Sequence, residues 1–129
     1  MRRLLFRTCF AVMAAAVLTS DVDAQLMTQP LPPLAPDQEV VVLDLEWQPG
    51  HASGPHRHHA HVFVYVIEGQ IQMQVEGGEL MTLGPGEMFY ETPDDVHTVS
   101  RNASDTEPAR ILVHLIKTIG APITTPVGN

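Results

Sequence analysis

Four histidines fall within six positions, at His56, His58, His59 and His61, just before an apolar run from Val62 to Ile67. Imidazole is the commonest protein ligand for transition metals, because the neutral ring offers an unshared nitrogen pair near neutral pH. In an extended chain residues i and i+2 point the same way, so His56 and His58 can aim two nitrogens at one point. Metal sites take three or four protein ligands, so at least one more has to come from elsewhere. His97 is the natural candidate. It follows the Pro93-Asp94-Asp95 turn and opens a strand-like run that can lie beside the first two histidines in an antiparallel arrangement.

The remaining candidates divide by the face they occupy. Neighbouring strand residues point to opposite faces, so a Val62 that faces inward turns His61 outward unless a bulge intervenes. Three ligands are therefore expected, His56, His58 and His97, with His61 a fourth only if it is turned in. His59 sits between inward positions and reads as a solvated loop residue, and His51, near a turn, as exposed. His114, between Leu112 and Ile116 in mid-strand, reads as a buried hydrogen-bonded histidine or a pocket liner rather than a ligand. Glu91 stands on the strand leading to Pro93. Pointing inward it is a carboxylate near the metal and a candidate catalytic general base; pointing outward it is one more solvated acid.

The elements that must position these groups are short and β-like. Glu39 to Gln48 alternates, with Val41, Leu43, Leu45 and Trp47 on the more apolar side. Val62–Ile67 and Ile71–Val75 follow, and Gly77-Gly78 marks a hairpin whose return strand is Glu79–Leu83. Gly84-Pro85-Gly86 turns into Met88–Glu91, then come Val96–Arg101 and a last long strand, Ala109–Ile119. Some seven short strands with frequent turn signals and no long amphipathic helix predict an all-β domain, either a jelly-roll-like barrel or a sandwich. The tail after Ile119, GAPITTPVGN, shows little to hold it in place.

The 129 residues suffice for one domain with a real core. A formal charge of −8 argues against nucleic acid and anionic membrane surfaces as partners. Residues 1–24 read as a signal peptide: Arg2, Arg3 and Arg7 precede an apolar stretch to about Leu18, and Val22-Asp23-Ala24 fits a cleavage site. The alternative is a buried helix or an uncleaved anchor, although the run falls short of the ~20 residues that span a bilayer. Cleavage predicts a periplasmic or secreted protein beginning at Gln25, with no membrane attachment. Cys9, the only cysteine, would leave with the peptide, so any metal must be held by nitrogen and oxygen. Residues 25–38, with Pro30, Pro32, Pro33 and Pro36, read as an extended arm.

Two motifs then stand in register with the cupin family. Gly50, His56, His58 and Gly69 match its first motif, G-x5-H-x-H-x3-4-E-x6-G; Pro85-Gly86, Pro93, His97 and Asn102 match its second. The resemblance covers about residues 39–118 and implies a cupin-type jelly-roll β-barrel, with residues 119–129 as a C-terminal tail. It departs in two places. Val62 stands where the metal-binding glutamate is usual, and the second motif is one residue shorter between its proline and histidine, with Asp94-Asp95 where glycine is common. The resemblance implies a divalent transition metal (zinc, manganese, iron, nickel or copper) and a small-molecule substrate or ligand. It also implies a homodimer, for which Phe63 and Tyr65 can supply an apolar surface. Two functions remain open: a metal-dependent oxygenase, isomerase or lyase acting on a small oxygen-rich molecule, and a non-catalytic module that binds a small molecule or metal.

Overall fold

An apolar residue at every second position has one stable outcome, a sheet with one face buried. The computed structural model, which describes residues 26–128, contains two such sheets whose apolar faces share one core. The first is formed by β1 (Gln38–Trp47), β9 (Ala109–Thr118), β4 (His61–Glu68) and β7 (Met88–Glu91), in that order and antiparallel throughout. The second runs β10 (Thr125–Pro126), β3 (His56–Arg57), β8 (His97–Asn102), β5 (Ile71–Val75) and β6 (Met81–Leu83), with β2 (Ala52–Ser53) also pairing β8. The chain crosses from sheet to sheet as in a jelly roll, and no helix occurs among the described residues. The expected signal peptide and Cys9 lie outside the described residues.

Leu43, Leu45 and Trp47 of β1, Val62, Val64 and Val66 of β4, Ile71 and Met73 of β5, and Ile111, Val113 and Leu115 of β9 meet in this core. On β1 these are the positions that the sequence pattern marks as inward; on β9 the inward set is Ile111, Val113 and Leu115, not the Leu112, His114 and Ile116 face on which a buried His114 was expected. Three two-residue strands, β2, β3 and β10, carry no such pattern and were not expected. The last of them overturns the expectation of a loosely held tail. Thr125 and Pro126 pair with Arg57 and His56, and the Val127 N–H donates to the Pro55 carbonyl at 3.0 Å. The hold is almost wholly backbone to backbone, so the side chains did not announce it.

Two motif residues far from any chemistry explain themselves structurally. Gly69 has a φ of +74°, and a Cβ there would lie 2.5 Å from the Pro108 carbonyl oxygen. Asn102, buried on β8, donates through Nδ2 to the carbonyls of Trp47, Gln48 and Glu107, and its Oδ1 accepts from the Ser104 N–H. One side chain thereby ties the end of β1 to the loop before β9. We expect Gly69→Ala and Asn102→Ala each to destabilise the protein by about 2–3 kcal/mol, through left-handed strain with a clash in the first and orphaned buried carbonyls in the second. Chemical denaturation with an unchanged m-value is the check; a loss under about 0.5 kcal/mol for either contradicts its assigned role.

Candidate metal centre

His56 and His58 occupy the corner where the chain leaves β3 of the second sheet for β4 of the first. His59 turns that corner with a φ of +49° and is exposed, as expected. Each of the two preceding rings is anchored from behind. His56 Nδ1 lies 2.7 Å from the Gly54 carbonyl and His58 Nδ1 2.6 Å from the Ile123 carbonyl. A carbonyl only accepts, so both Nδ1 atoms carry the proton, and in the neutral rings each Nε2 presents a bare lone pair. Those two Nε2 atoms face each other at 3.2 Å.

His97 comes from the next strand. It is the direct cross-strand partner of His56 in the β3–β8 pairing, with ring centroids 5.0 Å apart. Ser100 and His97 both line the same cavity, although residues three apart in a regular strand point to opposite faces. The register supplies the reason: it shifts between Gln74 and Val75 of β5, which face Val99 and His97 of β8, so Thr98 is the extra residue of a bulge. Its hydroxyl donates to the Gln74 carbonyl at 3.1 Å. The bulge aims His97 inward.

His56, His58 and His97 each offer a ring nitrogen within 4.8 Å of the other two. Two nitrogens on one metal at about 2.0–2.1 Å stand roughly 3.3 Å apart in a tetrahedral site, which the His56–His58 separation already meets. Among the described residues neither buried nitrogen of His97 makes a hydrogen bond of good geometry, although the Glu91 carboxyl group lies 3.3 Å from Nδ1. Buried polar atoms are seldom left so, and a cation bound among the three rings would satisfy one of them. Burial and the neighbouring His56 and His58 push the His97 pKa down to about 3, and burial also lowers that of His58. Both rings are thus held in the neutral form that a metal requires.

The remaining candidates sort by strand face. Val62 is buried and lines the cavity, so His61 points the other way, where its Nδ1 meets the Tyr90 hydroxyl at 2.8 Å. The bulge of β4 falls at the opposite end of the strand, between Val66 and Glu68, and leaves His61 unturned. His114 lies half-buried on that outer face, opposite Val42 and Phe63, while its neighbours Val113 and Leu115 line the cavity; it is not a pocket liner. His51 is exposed and stacks on Trp47 at 5.1 Å.

Glu91 points inward. It is 2% exposed, lines the cavity, and brings Oε1 to 3.3 Å from His97 Nδ1. Burial, then Asp95, push its pKa up to about 8, so the contact joins two neutral groups rather than an ion pair. Across the β4–β7 pairing Glu91 stands directly opposite Val62. The cavity, of about 130 Å³, is walled mainly by aliphatic side chains from both sheets, with Ser53, Ser100 and Thr124 as further polar lining and no Lys or Arg among its lining residues. Ile123 and Thr124 of the tail belong to that wall, as does the Ile123 carbonyl to the support of His58. An isolated isoleucine between Pro122 and Thr124 was the only sequence trace of this.

The cupin domain profile matches residues 43–115. No curated protein matches the chain closely enough to count as a relative. Among solved structures the fold is similar to a DMSP lyase from Ruegeria pomeroyi, with a TM-score of 0.60 and 18% identity, over 68% of this chain and 43% of that one. It is also similar to oxalate decarboxylase from Bacillus subtilis (TM-score 0.58, 18% identity, 70% of this chain and 24% of that one). An RmlC-like cupin from Shewanella frigidimarina gives a TM-score of 0.54 and 20% identity over 64% and 69%. This chain spans less than half the length of the lyase, and identities at this level speak for the fold. With the profile covering more than half the chain and the same two-sheet architecture recurring in these structures, the chain belongs to the cupin family.

Proposed function

We propose that this cupin is a metal-dependent enzyme acting on a small oxygen-bearing molecule by oxygenase, isomerase or lyase chemistry. The observation that carries the proposal is the convergence of His56, His58 and His97, the first two with their rings oriented by backbone carbonyls, on the wall of a mainly apolar cavity. His56, His58 and His97 would hold a divalent transition metal such as zinc, manganese, iron, nickel or copper, and supply in the cell decides among these. Bound there, the metal supplies Lewis acidity toward a substrate oxygen.

The chain's own residues do the rest. With no Lys or Arg lining the cavity, an anionic group finds its positive partner only at the three-histidine site. The aliphatic wall excludes water and accepts the remainder of a substrate of only several heavy atoms. Glu91, buried beside His97 with its pKa pushed up to about 8, is the group placed to give a proton to substrate and take one back. The names of the similar structures, a DMSP lyase and an oxalate decarboxylase, support a small-molecule substrate. The second reading, a non-catalytic binding module, draws on Val62, which removes the usual carboxylate ligand.

Protein loaded separately with each metal is to be assayed against small hydroxy-, keto- and β-substituted carboxylic acids. Turnover is expected with at least one metal. Glu91→Gln should retain metal and lower kcat by about 10²–10⁴-fold, whereas His97→Ala should lose both metal and turnover. Tight ligand binding by the metal-free protein with no product formed would instead establish the binding module.

Localisation in the periplasm or outside the cell, after cleavage near Ala24, completes the proposal; a mature N-terminus at Gln25 by mass spectrometry is its check. A homodimer is proposed through the outer face of the β1-β9-β4-β7 sheet. Val40 and Val42, exposed at 63% and 52%, stand there in register with Ile116 and His114, next to Phe63 and Tyr65. Asp44 and Arg110 pair within the chain at one end of this face, beside the exposed Glu46. Light scattering should give twice the chain mass, and Val42→Glu should halve it; a wild-type monomer would dismiss the dimer.

A further inference from the structure

We infer that residues 121–127 form a strap that completes the metal site: docked, it fixes the ring of His58 and walls the cavity; displaced, it releases both. The inference rests on the metal reading above and names the element that regulates that site.

Three observations converge on the strap. The Ile123 carbonyl is the sole anchor of His58 Nδ1, at 2.6 Å and from a residue 65 positions away in the chain. That bond decides which nitrogen of His58 carries the proton and where the other points. The Ile123 side chain packs against the core cluster and, with Thr124, forms part of the cavity wall. On the outer side, Thr124 and Pro126 line a second, more open crevice of about 240 Å³ together with Ser53, Gly54, Pro55 and His56. Ser53, His56 and Thr124 line both spaces. The strap therefore stands in the partition between the buried metal site and an open crevice, and lifting it joins the two.

Its attachment suits reversible docking. β10 contributes two paired residues, and the Val127 N–H to Pro55 bond is the last tie. Gly120, exposed and with a φ of +76°, lies within the turn closed by the Ala121 N–H and the Thr118 carbonyl, where its N–H donates to Glu39 Oε1, and the strap begins just past it. Such a short strand opens at far less than the global unfolding free energy. Coupling is then reciprocal: a strap that strengthens metal binding must itself be held more tightly when metal is bound.

The full-length protein is to be titrated with Co²⁺, read by its visible absorbance, and followed by hydrogen exchange with and without the ion. Val127→Pro removes the terminal N–H donor, and Ile123→Ser removes the apolar anchor while leaving the carbonyl; neither alters a histidine. Both should weaken Co²⁺ binding about 10-fold or more with an unchanged circular dichroism spectrum, and Val127→Ala, which keeps the N–H, should bind like wild type. In wild type, Co²⁺ should slow exchange at the amides of residues 123–127. Wild-type affinity in both variants, or exchange in the strap that Co²⁺ does not alter, overturns the strap while the metal centre stands. A wild type that binds no Co²⁺ overturns the metal reading and the strap with it.

Discussion

Two imidazole nitrogens face each other at 3.2 Å while the nitrogen on the far side of each ring is committed to a backbone carbonyl. Neither carbonyl can donate, so in the neutral rings the two facing atoms are both acceptors, and two acceptors in partial burial repel unless a proton or a metal ion lies between them. His97, with no hydrogen bond of good geometry at either ring nitrogen among the described residues, closes the third side. The rest of the domain follows from the need to keep this arrangement from relaxing. The β3–β8 pairing fixes His56 against His97, the left-handed turn at His59 ends the histidine segment, and two carbonyls from distant parts of the chain lock the rings. A polar cluster this dependent on the backbone needs a stiff frame, which the shared aliphatic core of the two sheets supplies.

Sequence reading carries far where side-chain pattern and structure obey the same period. Val62 inward and His61 outward follow from the alternation of β4, and the inward face of β1 follows in the same way. It stops where geometry is set by backbone alone. The inward aim of His97 depends on one extra residue in β8, and a bulge at Thr98 has no side-chain signature. The extended-chain argument for His56 and His58 named two rings that do come together, but by an incomplete route, since β3 ends at Arg57 and His58 already sits in the corner. The tail is the clearest case. Its docking rests on main-chain hydrogen bonds and a single isoleucine, so nothing in GAPITTPVGN distinguished it from a loose terminus.

The missing carboxylate ligand acquires a different meaning once the sheet register is known. Val62 removes an acid from β4, yet its cross-strand partner on β7 is Glu91, facing the same cavity. Cross-strand partners on one face have Cβ atoms about 4.5–5.5 Å apart, so the acid has moved by one strand rather than vanished. The move changes its chemistry. From β7 the carboxyl group approaches His97 Nδ1 rather than joining the cluster of three ring nitrogens. Three neutral ligands leave a bound cation's charge unquenched, while the carboxyl group stays free to handle protons.

That separation of roles constrains what the cavity can accept. Its wall is aliphatic on nearly every side, and its polar groups gather around the histidines and Glu91. A ligand charged at both ends would leave one end unpaired against Leu43, Val64 or Ile111, at a cost of several kcal/mol. A ligand with one oxygen-bearing end and a short apolar remainder places its polar atoms where the only compensating groups are. The wall at Ile123 and Thr124, like that at Ser53, His56 and His58, is built from two-residue strands and turns rather than from a long strand. Widening the cavity for such a ligand therefore requires least disruption there, where strands of two residues, rather than eight or ten, have to part.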